Sequence, residues 1–315
     1  MAERYLVTGG AGFIGSHLVE RLLEDGQRVR ILDDFSTGHR ENIEPLARRF
    51  GDALEVLEGD VAVMEDCHRA TAGIRYVFHE AALASVPRSL EDPVASHRVN
   101  ATGTLNILMA SRKAGVQRVI YAGSSSIYGD SKSLPKDETM TPHPLSPYAL
   151  TKLVGEEYLR LFHLHFSMET VTLRYFNVFG SRQDPDSPYA AVIPLFISCL
   201  LRGEQPTIYG DGLQSRDFTH VANVVDANLA ACHADNASGV YNVACGERTT
   251  LLELLDRVQQ VLGTHIPPKH ESPRPGDIRH SEADISRARK ELGFEPRISF
   301  ADGVPSTVDY FRGRG

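Results

Sequence analysis

The 315-residue chain has little cysteine, no long hydrophobic run and no excess of basic charge. Its longest apolar stretch, around residues 190–201, is interrupted by Pro194 and is too short to span a bilayer. A formal net charge of -8 argues against general binding to nucleic acids or to anionic membranes. The cysteines are too widely scattered for a zinc or redox pair, so we expect reduced thiols at Cys67, Cys199, Cys232 and Cys245.

Other absences narrow the protein class further. His163 and His165 lie two residues apart on a predicted helix, so their side chains diverge and we expect no metal site. The chain has no repeats, and a glycine-rich turn follows its N-terminus where a signal peptide would need an apolar region. A hydrophobic content of 42% suffices to bury one large core or two unequal ones. We therefore expect a cytoplasmic protein of the α/β class.

The glycine-rich turn near the start of the chain predicts a dinucleotide site. Residues 5–7 form a short apolar run typical of a buried strand, and helical periodicity begins just after the turn. Gly9, Gly12 and Gly15, or Gly10 in place of Gly9, would allow a tight turn. They would also let the backbone approach a pyrophosphate resting on the helix N-terminus.

An acidic residue at the end of the second predicted strand indicates which dinucleotide binds. The strand at 28–32 is followed by Asp33, which lies 18 residues beyond Gly15. A carboxylate at this position accepts hydrogen bonds from ribose hydroxyls and repels a 2′-phosphate. The sequence therefore favours NAD over NADP.

A tyrosine and a lysine four residues apart are the candidate catalytic pair. Ser146 and Pro147 predict a helix start, so Tyr148 and Lys152 should share one helical face. A free tyrosine has a pKa of about 10, and lowering it to about 7 requires about 4 kcal/mol in favour of the phenolate. An adjacent ammonium together with a cationic cofactor ring could supply this. The same spacing recurs at 128–132, but in a Gly/Asp/Ser stretch that we do not expect to be helical.

Strand and helix signals alternate along the first half of the chain. This rhythm predicts a doubly wound parallel sheet, a Rossmann fold, with ligands at the carboxyl ends of its strands. We expect an NAD-binding domain at 1–176 with a returning segment at about 218–243, and a long loop at 130–147. The alternation weakens beyond these segments, which predicts a smaller α/β substrate-binding lobe at 177–217 and 244–315.

Four motifs stand out along the chain, at residues 8–15, 124–129, 148–152 and 174–177. Together they resemble the extended short-chain dehydrogenase/reductases, and most closely the nucleotide-sugar 4-epimerases. Within the group the chain is most similar to bacterial UDP-N-acetylglucosamine 4-epimerases of surface-polysaccharide synthesis. That closer similarity lies in residues 81–89, 191–194 and 276–281.

The resemblance implies a redox-neutral isomerase. Tyr148 would take the proton of the sugar 4-hydroxyl while hydride leaves C4 for bound NAD, and Ser124 would hydrogen-bond the same oxygen. Lys152 would bind the nicotinamide ribose and lower the pKa of Tyr148. The 4-keto sugar would then rotate about its pyrophosphate tether and take the hydride back on its other face.

The resemblance also implies two sets of binding residues besides Tyr148, Lys152 and Ser124. The cofactor set is Gly9, Gly12, Phe13, Ile14, Gly15, Asp33, Asp34, Ser36, Gly38, Asp60, Val61, Ala81, Ala82, Asn100 and Tyr175. The substrate set is Ala84, Ser85, Arg88, Ser125, Ser126, Asn177, Val192, Tyr209, Arg216, Arg274, Asp277 and Ser281. The two arginines Arg216 and Arg274 would pair with substrate phosphates, although surface ion pairs would also explain them.

Positions at which this chain differs from related enzyme families indicate which substrate it takes. Galactose-pathway epimerases place a lysine where this chain has Ala84, which argues against a dedicated UDP-glucose enzyme without excluding activity on UDP-glucose. Sugar 4,6-dehydratases have Thr-Asp-Glu at 124–126, and UDP-glucuronate decarboxylases usually have Glu at Ser126. UDP-glucuronate 4-epimerases share the serine-rich stretch and remain an alternative. A non-catalytic NAD-binding scaffold is the alternative of another class, but it should have lost Tyr148 or Lys152.

The resemblance further implies an assembly and a specificity position. Members of the family commonly form isologous homodimers through the helix ending near Ala114 and the helix that carries Tyr148. In the family, the position of Ser281 lines the pocket for the C2 substituent of the sugar. A serine there leaves room for an N-acetyl group.

Overall fold

The computed structural model describes residues 3–185, 190–273 and 278–313. Its centre is a seven-stranded sheet in which every neighbouring pair of strands is parallel. The strands in chain order are β1 Arg4–Thr8, β2 Arg28–Asp33, β3 Leu54–Glu58, β4 Tyr76–His79, β5 Arg118–Ser124, β6 Glu169–Tyr175, β7 Val178–Phe179, β8 Thr207–Tyr209, β9 Ser215–Arg216, β10 Thr219–His220, β11 Gly239–Val243, β12 Thr249–Thr250 and β13 Lys269–Glu271.

The order of strands in the large sheet is β3-β2-β1-β4-β5-β6-β11. Strands β1, β2 and β3 follow one another towards one edge of the sheet, and β4, β5 and β6 follow one another towards the other edge. This arrangement leaves a crevice above the carboxyl ends of β1 and β4. β1 is paired to both neighbours, with Thr8 opposite Leu32 and opposite His79. The predicted doubly wound Rossmann sheet is confirmed.

Helices cover both faces of this sheet. They are α1 Phe13–Glu24, α2 Glu44–Phe50, α3 Met64–Thr71, α4 Val86–Glu91, α5 Pro93–His97, α6 Gly103–Ala114, α7 Pro147–Phe166, α8 Val192–Leu201, α9 Val221–His233, α10 Leu251–Leu262, α11 Ser286–Leu292 and α12 Phe300–Arg312. Residues of α1, α2, α9 and α11 belong to the buried core on one face. Residues of α3, α6 and α7 belong to the core on the other face.

Short segments complete the backbone. Three 3₁₀ turns lie at Arg40–Asn42, Gly51–Ala53 and Ser125–Tyr128. A π-helical segment at Arg98–Thr102 joins α5 to α6, so the predicted long helix ending at Ala114 runs through a π turn.

A further hydrophobic core lies mainly in the C-terminal part of the chain. It packs α8, α10 and α12 around side chains such as Phe196, Leu254 and Val304. Two small strand pairs border it, β8 with β13 and β9 with β12. The boundaries of the two predicted domains stay a prediction. In the part of the chain that the structure describes, no helix is both long and apolar enough to cross a membrane.

Candidate active site

A cleft of about 1110 Å³ lies at the carboxyl ends of the central strands. It brings together residues from the glycine-rich turn, from β2, from the loop after β4, from β5 and from α7. The predicted cofactor residues that line it are Gly9, Gly12, Phe13, Ile14, Gly15, Asp33, Asp34, Ser36, Gly38, Asp60, Val61, Ala81, Ala82, Tyr148, Lys152 and Tyr175. The predicted substrate residues that line it are Ala84, Ser85, Arg88, Ser124, Ser125, Ser126, Asn177, Arg216 and Ser281.

The glycine-rich turn has the backbone geometry of a pyrophosphate cradle. Gly9 has a positive φ of 68°, and a Cβ there would lie 2.8 Å from the backbone of Ala81. A Cβ on Gly15 would overlap the Gly9 carbonyl oxygen. Helix α1 starts at Phe13 without a side-chain cap, so its first N–H groups stay available to an anion. These residues therefore fit a bound dinucleotide.

Asp33 ends β2 with its carboxylate held from two sides. Oδ2 accepts a hydrogen bond from the Ala11 N–H and Oδ1 accepts one from the Phe35 N–H, both at 2.9 Å. Burial raises the pKa of Asp33, and these two N–H donors act in the opposite direction. The fixed carboxylate faces the cleft where the ribose of a dinucleotide would lie.

Helix α7 starts where the sequence predicts and carries the candidate catalytic pair. The Ser146 hydroxyl caps it by accepting a hydrogen bond from the Ala149 N–H at 3.1 Å, and Pro147 is its first residue. Both Tyr148 and Lys152 line the cleft. The second Tyr–Lys spacing ends in a turn rather than a helix, so its residues 128 and 132 do not share a helical face.

Ser124 brings β5 to the same point. It lies close enough to Tyr148 to lower the pKa of that phenol, and its Oγ lies 2.8 Å from the Ser126 Oγ. It also accepts a hydrogen bond from the Ser126 N–H at 3.2 Å, which caps the 3₁₀ turn. The hydroxyls of Ser124 and Ser126 and the Tyr148 phenol thus lie close together in the cleft.

Burial controls the charges of the pair. It lowers the pKa of Lys152 to about 8, and Glu80 acts in the opposite direction. The Lys152 ammonium donates a hydrogen bond to the Ala122 carbonyl at 2.9 Å. Burial raises the pKa of Tyr148, although the hydrogen bond with Ser124 lowers it. The protein groups alone therefore do not produce the predicted lowering of the Tyr148 pKa.

A neighbouring cavity of about 650 Å³ adjoins the substrate end of the cleft. Val192 and Tyr209 line this cavity, and Asn177 and Arg216 line both spaces. The predicted residues Arg274 and Asp277 lie outside the described residues.

Asn100 lies behind the cleft instead of lining it. Its side chain is 1% exposed and sits on the π-helical segment. Its Oδ1 accepts a hydrogen bond from the Leu83 N–H at 2.8 Å, and its Nδ2 donates one to the Thr151 hydroxyl at 3.1 Å. Asn100 thereby ties the loop after β4 to α7, and its predicted contact with the cofactor stays a prediction.

Sequence reasoning missed Glu80. It follows β4 directly and lines the cleft, where burial raises its pKa to about 7. No motif singled it out, because its importance comes from a hydrogen bond to Tyr175, 95 residues away in the chain. An acid at the carboxyl end of a buried strand was the one available signal. Among the described residues, no group of three or more His, Cys, Asp or Glu side chains could hold a metal ion.

Comparisons with known proteins agree with this geometry. Residues 5–244 match the model of the NAD dependent epimerase/dehydratase family. A UDP-glucose 4-epimerase of Mycolicibacterium smegmatis is 38% identical over 314 residues, which cover 99% of each chain.

Two solved structures are similar over nearly the whole chain. The UDP-N-acetylglucosamine 4-epimerase of Methanobrevibacter ruminantium, solved with UDP-N-acetylmuramic acid, is 41% identical with a TM-score of 0.94 and full coverage of both chains. A UDP-glucose 4-epimerase of Thermotoga maritima, solved with UDP-glucose, is 38% identical with a TM-score of 0.93 and 99% coverage of both chains. With its glycine-rich turn, its Asp33 carboxylate and its Ser124–Tyr148–Lys152 arrangement, the chain belongs to the NAD dependent epimerase/dehydratase family, within the extended short-chain dehydrogenase/reductases.

Proposed function

We propose that the protein is an NAD-dependent 4-epimerase of a UDP-hexose, which interconverts UDP-N-acetylglucosamine and UDP-N-acetylgalactosamine. The observation that carries the proposal is the convergence of Ser124, Tyr148 and Lys152 at one end of a cleft whose other end is a dinucleotide cradle. Both ligands of such a reaction must lie in one continuous space. When bound there, NAD supplies the hydride acceptor.

The roles of the chain's own groups follow from their positions. The Tyr148 hydroxyl takes the proton of the sugar 4-hydroxyl, and Ser124 orients that oxygen through its hydrogen bond. Because burial raises the Tyr148 pKa, the lowering to near neutrality must come from positive charge brought close on binding. Lys152 is held in place by the Ala122 carbonyl, and the positive charge of its ammonium contributes to this lowering of the Tyr148 pKa. After rotation of the 4-keto sugar, Tyr148 returns the proton.

The residues around the serines argue against elimination or decarboxylation. Ser124, Ser125 and Ser126 line the cleft, so the positions at which dehydratases carry acidic groups here bear only hydroxyls. A hydroxyl with an ordinary pKa is a poor acid or base for expelling a C6 hydroxyl. The sugar therefore leaves with its C6 group intact.

An N-acetylated sugar is the substrate that the rim of the cleft favours. Ser281 lines the cleft, and its small side chain leaves volume beside its hydroxyl. Arg216 and Asn177 lie where the cleft meets the neighbouring cavity, which has room for the nucleotide. We assign this second cavity, with Val192 and Tyr209, to the UDP moiety.

Two further features belong to the proposal. Exposed apolar side chains stand on the three helices through which a dimer is expected. Val94 on α5 is 76% exposed and Met109 on α6 is 41% exposed. On α7, Leu150 is 52% exposed and Leu164 is 63% exposed. Burying these side chains against a second copy would give an isologous homodimer.

We place the enzyme in the cytoplasm, where it would supply UDP-sugars for the synthesis of surface polysaccharide.

The direct test is incubation of the purified protein with separate UDP-sugars, followed by chromatographic analysis of the products. UDP-N-acetylglucosamine should yield its 4-epimer with the highest kcat/KM, and UDP-glucose should yield UDP-galactose more slowly. UDP-glucuronate as the best substrate would replace the N-acetyl assignment with the uronate alternative. No epimer from any UDP-sugar would refute the proposed activity.

A further inference from the structure

Glu80 connects the dinucleotide cradle to the far side of the cleft. A Cβ on Gly9 would lie 3.1 Å from the Glu80 carbonyl carbon, so the backbone of Glu80 packs against the glycine-rich turn. The Glu80 Oε1 accepts a hydrogen bond from the Tyr175 hydroxyl at 2.8 Å. Tyr175 in turn accepts one from the Asn228 amide at 2.8 Å. The carboxyl group is therefore held in position by a chain of two hydrogen bonds.

The topology places this carboxyl group under the reacting end of the cleft. Glu80 follows β4, Tyr175 ends β6, and β5 lies between these two strands. His79, just before Glu80, is opposite Tyr121, and Tyr175 is opposite Ser124, so the hydrogen bond between the Glu80 and Tyr175 side chains crosses the last three residues of β5, 122–124. Glu80, Ser124 and Tyr148 line the same cleft, so a dinucleotide whose pyrophosphate rests on the glycine-rich turn and whose ring reaches Tyr148 lies in the space that Glu80 borders.

Lys152 is the charged side chain that acts on the Glu80 carboxyl group. Burial raises its pKa, whereas the Tyr175 hydrogen bond and the Lys152 ammonium lower it, with a result of about 7. His79 on the same strand is neutral, because burial lowers its pKa to about 3. Burial raises the pKa of Tyr148 and of Tyr175, so both phenols are neutral before a cofactor binds. Lys152 is thus the charged neighbour of Glu80, and a positively charged ligand in the cleft would compete with Lys152 for the Glu80 carboxylate.

We propose that the Glu80 carboxylate favours the oxidised nicotinamide ring over the reduced ring, so that the resting enzyme holds its cofactor in the form that the reaction needs. The inference rests on the proposed function, which places the ring at this end of the cleft. The oxidised ring carries a positive charge and the reduced ring carries none. A fixed negative charge nearby therefore attracts one form only.

The balance of the redox step is unchanged by Glu80. Two electrons and one proton leave sugar C4 as hydride and enter the ring, and the hydroxyl proton goes to Tyr148. Glu80 exchanges no electrons. It makes the reduction less favourable as long as it is ionised, and the return of hydride to the sugar correspondingly more favourable.

The test is a redox titration of the cofactor-loaded enzyme at pH 8, followed by the near-ultraviolet absorbance of the reduced ring. Glu80→Gln keeps an oxygen that can accept the Tyr175 hydrogen bond and removes the charge. We expect its midpoint potential to be more positive by about 30 mV or more, which corresponds to a tenfold change for a two-electron couple. Glu41→Gln is the matched control, because Glu41 lines the same cleft near the glycine-rich turn and Asp33. That control should leave the potential unchanged.

The pH dependence separates an electrostatic role from a structural one. Below the pKa of Glu80 the carboxyl is protonated and neutral like the amide of the variant, so the two potentials should converge as the pH falls. Equal potentials for wild type and Glu80→Gln at every pH would overturn the proposal, and so would an equal shift in Glu41→Gln. If Glu80→Gln fails to fold, the potential of Tyr148→Phe is measured against pH, because this variant lacks the other group that is expected to titrate near neutrality once the cofactor is bound. Between pH 6 and 7, below the Lys152 pKa of about 8, its slope should still exceed the about 30 mV per pH unit of a one-proton, two-electron couple, and a slope of about 30 mV would overturn the proposal.

This readout does not depend on turnover. A protein without epimerase activity on any UDP-sugar could still show the shift in potential, and an active epimerase could lack it. The failure of the redox inference is therefore distinguishable from the failure of the proposed function.

Discussion

A tyrosine in place of Ser281 should shift the substrate preference from UDP-N-acetylglucosamine towards UDP-glucose. The reason is that hydrogen bonds hold the backbone at this position, so it cannot move away from the cleft to make room for a larger side chain. The Ser281 N–H donates a hydrogen bond to the Ser215 carbonyl at 3.0 Å. The next residue, Glu282, accepts one from the Lys136 N–H at 2.8 Å. With the chain held on both sides, a larger side chain must enter the cleft that Ser281 lines.

The size of the effect follows from the space that is lost. Overpacking a fixed site typically costs about 1–3 kcal/mol, which corresponds to about five- to over a hundredfold in affinity. The loss should fall on UDP-N-acetylglucosamine, because its C2 acetamido group needs the volume that the tyrosine ring of Ser281→Tyr would fill. UDP-glucose carries only a hydroxyl at C2 and should lose much less.

The assay is the ratio of kcat/KM for UDP-N-acetylglucosamine to kcat/KM for UDP-glucose, in wild type and in Ser281→Tyr. Ser281→Ala is the matched control, because it removes the hydroxyl without adding volume and should change the ratio far less than the tyrosine. An unchanged ratio in Ser281→Tyr would show that this position does not gate the C2 pocket, and the argument from Ser281 for an N-acetylated substrate would be withdrawn.

Three other outcomes follow from the site and the core. Tyr148→Phe should keep its fold and bound NAD but lose turnover by about 10²–10⁴-fold, and near wild-type turnover of the purified variant would exclude Tyr148 as the acid–base group. NAD should copurify with the enzyme and NADP should not replace it, because Asp33 would repel a 2′-phosphate; equal support of cofactor-depleted enzyme by NADP would contradict this. Arg174→Met should destabilise the fold by about 3–5 kcal/mol in urea unfolding, because it leaves the Glu156 carboxylate buried without its partner. A loss below about 1 kcal/mol would show that this buried pair contributes little, as exposed pairs do.

The local parts of the site were predictable because their geometry depends on short stretches of chain. The start of α7 at Pro147 needs only a capping serine and a proline, and the common face of Tyr148 and Lys152 needs only the helical period. The turn from β1 into α1 likewise follows from glycines whose Cβ atoms would meet backbone. Alternating strands and helices then leave few arrangements other than a parallel sheet.

Local patterns do not give the surroundings of a residue. The predicted lowering of the Tyr148 pKa depends on a cationic cofactor ring, and within the folded protein desolvation raises this pKa. Asn100 is predicted to contact the cofactor, which stays a prediction, and its amide also joins Leu83 to Thr151. The desolvation and the amide contacts cannot be deduced from neighbours in the chain, because both depend on what packs around the side chain.

The sequence by itself determined the fold class, the dinucleotide turn, the NAD preference at Asp33 and the candidate catalytic pair. The turn, the strand end and the pair each depend on residues within one element or one turn, and the fold class depends on how such elements alternate along the chain. Only the tertiary structure decided that Glu80 meets Tyr175 across β5. The physical reason is that a parallel sheet brings together the ends of strands that are far apart in the chain, so contacts between them leave no periodic signal in the sequence.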